Sequence, residues 1–257
     1  WELVFSFETA ACAIIKHNNP CGCAVDQNPA VAFEKALACD PASAYGGVVA
    51  FNCAVTHELA KLICEKGVFI ECLVAPAIDS NALAMLTSVP KWGKNLRVFK
   101  TGFEKVEGTS HHIRGIRDGV LIQEYDDSFA LKFCSVTVPP TKEQEEELKF
   151  AWSVVKHVKS NAIVLARDGA TVGIGAGQMS RLDSAKIALM KAGSRAKGAV
   201  AASDAFFPFK DALEVLLDAG VAAAVMPGGS IRDKEVIECA RKRGVPLIVT
   251  GMRHFKH

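Results

Sequence analysis

A chain of 257 residues, half of them hydrophobic and 23% charged, has the size and mix of a soluble globular protein that can bury a real core in one large or two small domains. A formal net charge of +2 gives no general attraction for nucleic acid or an acidic membrane surface, so any anion site has to be local. No run approaches the ~18 uninterrupted apolar residues of a spanning helix.

The chain starts Trp1-Glu2-Leu3-Val4, with neither a Met nor a basic leader, and reads as a piece of a longer protein. An apolar run at 11–15 predicts a strand that stops on Lys16 and His17, followed by Asn18, Asn19, Pro20 and Gly22, which predict a bend. Side chains of neighbouring strand residues point to opposite faces, so Lys16 and His17 serve one site only if the chain turns at them. Imidazole takes up a proton near neutral pH without environmental tuning, and an adjacent ammonium keeps it neutral. His17 is therefore a candidate general base and Lys16 a candidate stabiliser of developing negative charge.

Further strands are predicted at 48–51, 73–75, 162–166, 199–202, 221–226 and 247–250. Amphipathic helices are predicted at 29–38, 57–65, 182–191, 211–218 and 233–243. A longer helix starts near 141, where Thr141 and Gln144 have capping-box spacing. This alternation is an α/β pattern. Gly47, Gly67 and Pro76 recur as Gly198, Gly220 and Pro227, 151 to 153 positions on, which points to a duplicated α/β unit over 1–135 and 136–257. The stretch 91–140 reads as an insertion and linker.

The nine cysteines sit mostly inside apolar runs and read as reduced core thiols of a cytoplasmic protein. Cys21-Gly-Cys23 has the wrong spacing for zinc, and no metal is expected. Residues 161–177 form a predicted hairpin turning at Asp168-Gly169, with Gly173, Gly175 and Gly177 leaving room for a ligand at the backbone. Ser180 and Arg181 at the following helix start form an anion cradle. Position 178 is Gln, which breaks the dinucleotide fingerprint. The three rings of Phe206-Phe207-Pro208-Phe209 surround a proline in a loop, where an exposed aromatic suits a flat ligand. Pro227-Gly-Gly-Ser-Ile-Arg232 is a second glycine turn, and an apolar strand runs straight into the basic segment 250–257.

With these motifs in order, the chain closely resembles the formyltransferase domain of the bifunctional AICAR transformylase and inosine monophosphate cyclohydrolase family. The resemblance rests on Lys16-His-Asn-Asn-Pro-Cys-Gly22, Asp40-Pro-Ala-Ser-Ala-Tyr-Gly-Gly47, Lys156-His-Val-Lys-Ser-Asn161, Gly173-Ile-Gly-Ala-Gly-Gln-Met-Ser-Arg181, Ser203-Asp-Ala-Phe-Phe-Pro-Phe209, Pro227-Gly-Gly-Ser230 and Met252-Arg-His-Phe255. It implies two cytidine-deaminase-like three-layer halves used without zinc. It also implies a homodimer with the site at its interface, and transfer of a formyl group from 10-formyltetrahydrofolate to the 5-amino group of AICAR. His17 then matches the base, Lys16 the oxyanion stabiliser, and Asn161 the residue aligning the carboxamide and amine. Gly46, Glu71, Arg181, Phe206 and Arg253 match nucleotide contacts, with Arg181 or Arg253 reaching the 5′-phosphate. Leu182, Asp211, Ser230 and Ile231 match the folate side. The family's upstream Arg-Tyr-Gly-x-Asn-Pro-His segment and its cyclohydrolase domain have no counterpart in these 257 residues, so ring closure is not expected, and a non-catalytic nucleotide or folate binder is the alternative.

Overall fold

The structure, a computed structural model, describes residues 1–103, 111–126 and 133–256. In chain order it runs α1 (Glu2–Phe5), β1 (Ala11–Lys16), β2 (Asn19–Val25), α2 (Pro29–Cys39), α3 (Pro41–Ala44), β3 (Gly47–Phe51), α4 (His57–Lys66), β4 (Ile70–Ala75), α5 (Ser80–Ser88) and β5 (Arg97–Lys100). A hairpin of β6 (His111–Ile116) and β7 (Gly119–Glu124) follows, then the short β8 (Cys134–Ser135). The remainder is α6 (Lys142–Val155), β9 (Ile163–Arg167), β10 (Ala170–Gly175), α7 (Arg181–Ala192), β11 (Val200–Ser203), α8 (Asp211–Asp218), β12 (Ala223–Met226), α9 (Asp233–Lys242) and β13 (Leu247–Val249).

One 11-stranded mixed sheet has the order β5-β4-β3-β1-β2-β10-β9-β11-β12-β13-β8, and among the described residues β6 pairs only with β7. Helices cover both faces, because alternate strand residues are apolar on each side. On β9, Val164 and Ala166 pack with Trp152 and Val155 of α6, while Ile163 and Leu165 pack with α7 and α8. The capping box at Thr141 forms: its hydroxyl accepts from Gln144 N at 3.2 Å, and Gln144 Oε1 accepts from Thr141 N at 2.9 Å. No helix among the described residues is long and apolar enough to cross a membrane.

Three expectations are corrected. The bend after β1 is made by His17 and Asn18, with φ of 52° and 61°, a two-residue turn of the type that matches strand twist. Asn19, Pro20 and Gly22 instead belong to β2, Pro20 at a register shift. Second, Gly173 and Gly175 leave no room for a ligand. A Cβ there would lie 2.1 Å from the Ala188 carbonyl oxygen and 1.9 Å from that of Ser184, so the space is filled by α7. Gly22 serves α2 the same way, 1.9 Å from the Ala36 oxygen. Third, the stretch 91–140 contains β5, β8 and the β6–β7 hairpin, with β5 paired to β4 and β8 to β13 in the main sheet; 104–110 and 127–132 lie outside the described residues.

Pairing directions decide what shares an edge. β1 runs antiparallel to β2 and β3, β2 antiparallel to β10, and β10 and β11 antiparallel to β9. The end of β1 at Lys16 and the starts of β3 and β4 therefore lie on the same sheet edge as the ends of β11, β12 and β13, which run parallel to one another.

Candidate functional site

The Lys16-His17 corner is a strand end sharpened by its turn. The Lys16 ammonium donates to the Tyr45 carbonyl oxygen at 2.6 Å, and His17 is exposed. Gly46 follows Tyr45 with a φ of 74°, its N–H donating to the Phe69 carbonyl at 2.8 Å. Glu71 on β4 is exposed and pairs with Arg97 at 2.9 Å. Cys21 and Cys23 behind the corner are buried, which pushes the Cys21 thiol up to about 11 and that of Cys23 higher still, so both stay protonated and inert at neutral pH.

Across the edge lies a cleft of about 390 Å³ into which Asn161, Arg181, Leu182, Phe206 and Asp211 all project. Arg181 is not a free cradle. Its side chain is 4% exposed, and the guanidinium is ion-paired with the fully buried Asp204 and donates to Ser203 Oγ at 2.8 Å and to Asn161 Oδ1 at 2.8 Å. Ser180 caps α7, its Oγ accepting from Asp183 N. Asn161 is held from every side: Nδ2 donates to the carbonyls of Gln178 at 2.9 Å and Met179 at 3.0 Å, and one Oδ1 lone pair is taken by Arg181. Among the described residues nothing takes the second lone pair of Oδ1.

Of the three phenylalanines only Phe207 is core; Phe206 is half-buried and Phe209 is 49% exposed. Each ring facing outward carries an arginine. The Arg253 guanidinium lies 5.0 Å from the Phe206 centroid and that of Arg232 lies 4.7 Å from Phe209. Gly229, with a φ of 95°, lies against this arginine: a Cβ there would sit 3.4 Å from Arg253 Nη2, in ordinary contact. Ser230 and the fully exposed Ile231 stand on the same glycine turn, beside the cleft rather than in its wall. His254 turns inward, its ring tilted against Trp152 with Nδ1 2.5 Å from Asp126, so in the terminal segment Arg253 is the exposed cation that faces the cleft's aromatic residues. His257 lies outside the described residues.

The residues expected from the sequence thus fall into two groups on one edge: Lys16, His17, Gly46 and Glu71 in one, and Asn161, Arg181, Leu182, Phe206, Asp211, Ser230, Ile231 and Arg253 in the other. The sequence reading missed the Tyr45 carbonyl, which has no sequence signal. It also missed Asp204 as the partner of Arg181, for which the buried strand end at Ser203 was the available clue.

Residues 1–191 match the family model described as AICARFT/IMPCHase bienzyme. The chain belongs to this family. Relatives of the AICARFT/IMPCHase family named bifunctional purine biosynthesis protein PurH include that of Desulfitobacterium hafniense, 50% identical over 261 residues, covering 100% of this chain and 49% of the relative. The Persephonella marina protein of that name is 47% identical over 262 residues and the Anoxybacillus flavithermus one 44% over 260, each covering 100% of this chain and 50% of the relative. This AICARFT/IMPCHase chain therefore spans about half the length of the curated relatives it matches.

Proposed function

We propose that this chain performs the formyl-transfer half of its family's chemistry, moving the formyl group of 10-formyltetrahydrofolate to the 5-amino group of AICAR in purine biosynthesis. The observation that carries the reading is Arg253 stacked on Phe206 at the cleft mouth, a fixed cation beside a flat ring, which suits an imidazole nucleotide bearing a phosphate. The AICAR amine is a weak nucleophile because its lone pair is delocalised into the ring and carboxamide, so base assistance and alignment have to supply most of the rate. His17 takes the amine proton as nitrogen bonds to the formyl carbon. The Lys16 ammonium stabilises the resulting oxyanion, and tetrahydrofolate leaves with a proton returned to its nitrogen. Asn161 offers its remaining Oδ1 lone pair to the substrate amine or carboxamide. Gly46 and Glu71 border the nucleotide, Leu182, Asp211, Ser230 and Ile231 the folate. Arg253 takes the phosphate, while Arg181 braces Asn161. No metal is needed for these steps.

Corner and cleft are separated, since β1 and β9 lie three strand spacings apart, about 14 Å. A homodimer that brings one copy's cleft to the other's corner completes the site. The β6–β7 hairpin supports such a partner: all its residues are exposed, with Ile113, Ile122 and Val120 on one face. A lone two-stranded hairpin needs a covered face to be stable. The three aliphatic side chains on that face offer on the order of 300 Å², part of the ~800 Å² per partner in a standard interface. The reading also includes two cytidine-deaminase-like halves, about 1–135 and 136–257, in a cytoplasmic protein. The orders β2-β1-β3-β4-β5 and β10-β9-β11-β12-β13 favour the duplication.

The test is formyl transfer by the purified chain, followed by tetrahydrofolate production. His17→Ala is expected to lower kcat by about 10²–10⁴-fold with AICAR affinity within a few-fold. AICAR binding with no turnover in either form would establish a binding domain instead.

A further inference from the structure

We propose that Asp40 and Lys191 form a positioning pair through which the second half of the sheet aims the Lys16 ammonium of the first. Lys16 Nζ donates to the Tyr45 carbonyl at 2.6 Å, so whatever fixes that carbonyl fixes the ammonium. Tyr45 closes α3, whose N-cap is Asp40: Oδ1 accepts from Ser43 N at 3.1 Å and the Asp40 carbonyl accepts from Ala44 N at 3.1 Å. The other carboxylate oxygen meets Lys191 Nζ at 2.7 Å, with the Asp40 side chain only 11% exposed. Lys191 stands in the last turn of α7, and Arg195 just beyond it donates to the carbonyls of Ala38 at 2.5 Å and Cys39 at 3.2 Å, immediately ahead of Asp40. Downstream there is no slack either. A Cβ at Gly47 would lie 2.9 Å from the Ala44 oxygen and 3.2 Å from the Ile15 oxygen, so the α3 turn and the end of β1 move together.

The physical consequence is leverage over a short path. Loss of one charge from a mostly buried pair leaves the other uncompensated and frees the turn, and a displacement of about 1 Å at a reacting group can cost ~10²-fold in rate. The kinetic part of this inference rests on the formyl-transfer reading; the structural part does not.

Both parts are tested with Asp40→Asn, Lys191→Met and Lys191→Arg. In the first measurement, acetic anhydride labelling of Lys16 is followed by peptide mass spectrometry. The rate is expected to rise at least threefold in Asp40→Asn and Lys191→Met, with Lys35 and Lys149 unchanged, and to stay at the parent rate in Lys191→Arg. In the second, kcat for formyl transfer falls 10- to 100-fold in the first two variants with the AICAR KM within twofold, and Lys191→Arg recovers it. Unchanged Lys16 labelling in folded Lys191→Met, or a rise at all lysines alike, overturns the proposal. If the parent chain shows no turnover, the formyl-transfer reading fails, and the labelling alone decides this one. Should Asp40→Asn fail to fold, Lys191→Met carries the decision.

Discussion

Asn19 Oδ1 accepts a hydrogen bond from the Lys159 amide at 3.0 Å, tying the Lys-His turn of one half of the sheet to the segment that leads into Asn161 in the other. Gly177 N donates to the Lys159 carbonyl at 2.7 Å, so the same residue joins the turn to the end of the glycine hairpin. Asn19→Ala removes the acceptor and is expected to cost about 1 kcal/mol, a fall of ~2–4 °C in Tm. On the formyl-transfer reading, turnover is expected to fall more steeply than stability, because the Lys-His turn loses its tie to the 159–161 segment. Differential scanning calorimetry beside the transfer assay checks both, and an unchanged kcat would mean the turn holds without this bond.

Arg253 presents a planar fork over Phe206, and a lysine offers neither the plane nor the fork. Arg253→Lys is expected to weaken AICAR binding about tenfold, ~1.4 kcal/mol, with little change in Tm since the side chain is exposed. Calorimetric titration with AICAR reads the difference. Equal affinity in the two proteins would remove Arg253 from the phosphate site.

Asp204 is fully buried and balances Arg181, while accepting from Ala162 N at 3.0 Å and Ser160 Oγ at 2.5 Å. Asp204→Ala leaves a buried guanidinium without its counter-charge and is expected to destabilise by about 3–5 kcal/mol. Urea unfolding should show the double variant Asp204→Ala with Arg181→Met losing less than the two single losses combined, because the second change removes the stranded charge.

Two glycines of one hairpin should respond differently to alanine. At Gly175 a Cβ would meet the Ser184 oxygen at 1.9 Å, so β10 and α7 have to separate, at a cost of about 1–3 kcal/mol or more. At Gly177 nothing lies within 4 Å, and only its φ of 66° resists, about 1 kcal/mol. Comparable losses at both positions in denaturant titrations would contradict the close helix contact.

His157 is held neutral in the fold: burial, then the neighbouring Lys256 and Lys156, bring its pKa down to about 3. The unfolded chain binds a proton there near pH 6.5, so the folded state loses stability as pH falls from that point toward about 3. Its Nε2 lies 3.2 Å from Ser6 Oγ, a partner that a glutamine could keep. His157→Gln is therefore expected to flatten the Tm profile between pH 6.5 and 4.5, and a profile identical to the parent's would exclude His157 as the acid-sensitive group.

The sequence by itself determined the α/β alternation, because strand and helix periods are local and Thr141, Gly67 and Asp168-Gly169 mark ends by chemistry that needs no distant partner. It also marked the corner and the aromatic loop as places where ionisable or flat side chains follow a strand. Only the tertiary structure decided how those residues are used. Gly173 and Gly175 look like a ligand's clearance until α7 fills it, and Arg181 looks like an anion donor until Asp204 claims it. Both outcomes depend on what lies across the sheet, and burial forces a charge or an empty space to find its partner there. Local sequence carries no record of that partner, which is why the choice between Arg181, claimed by Asp204, and Arg253, exposed on its ring, is made only once the chain is folded.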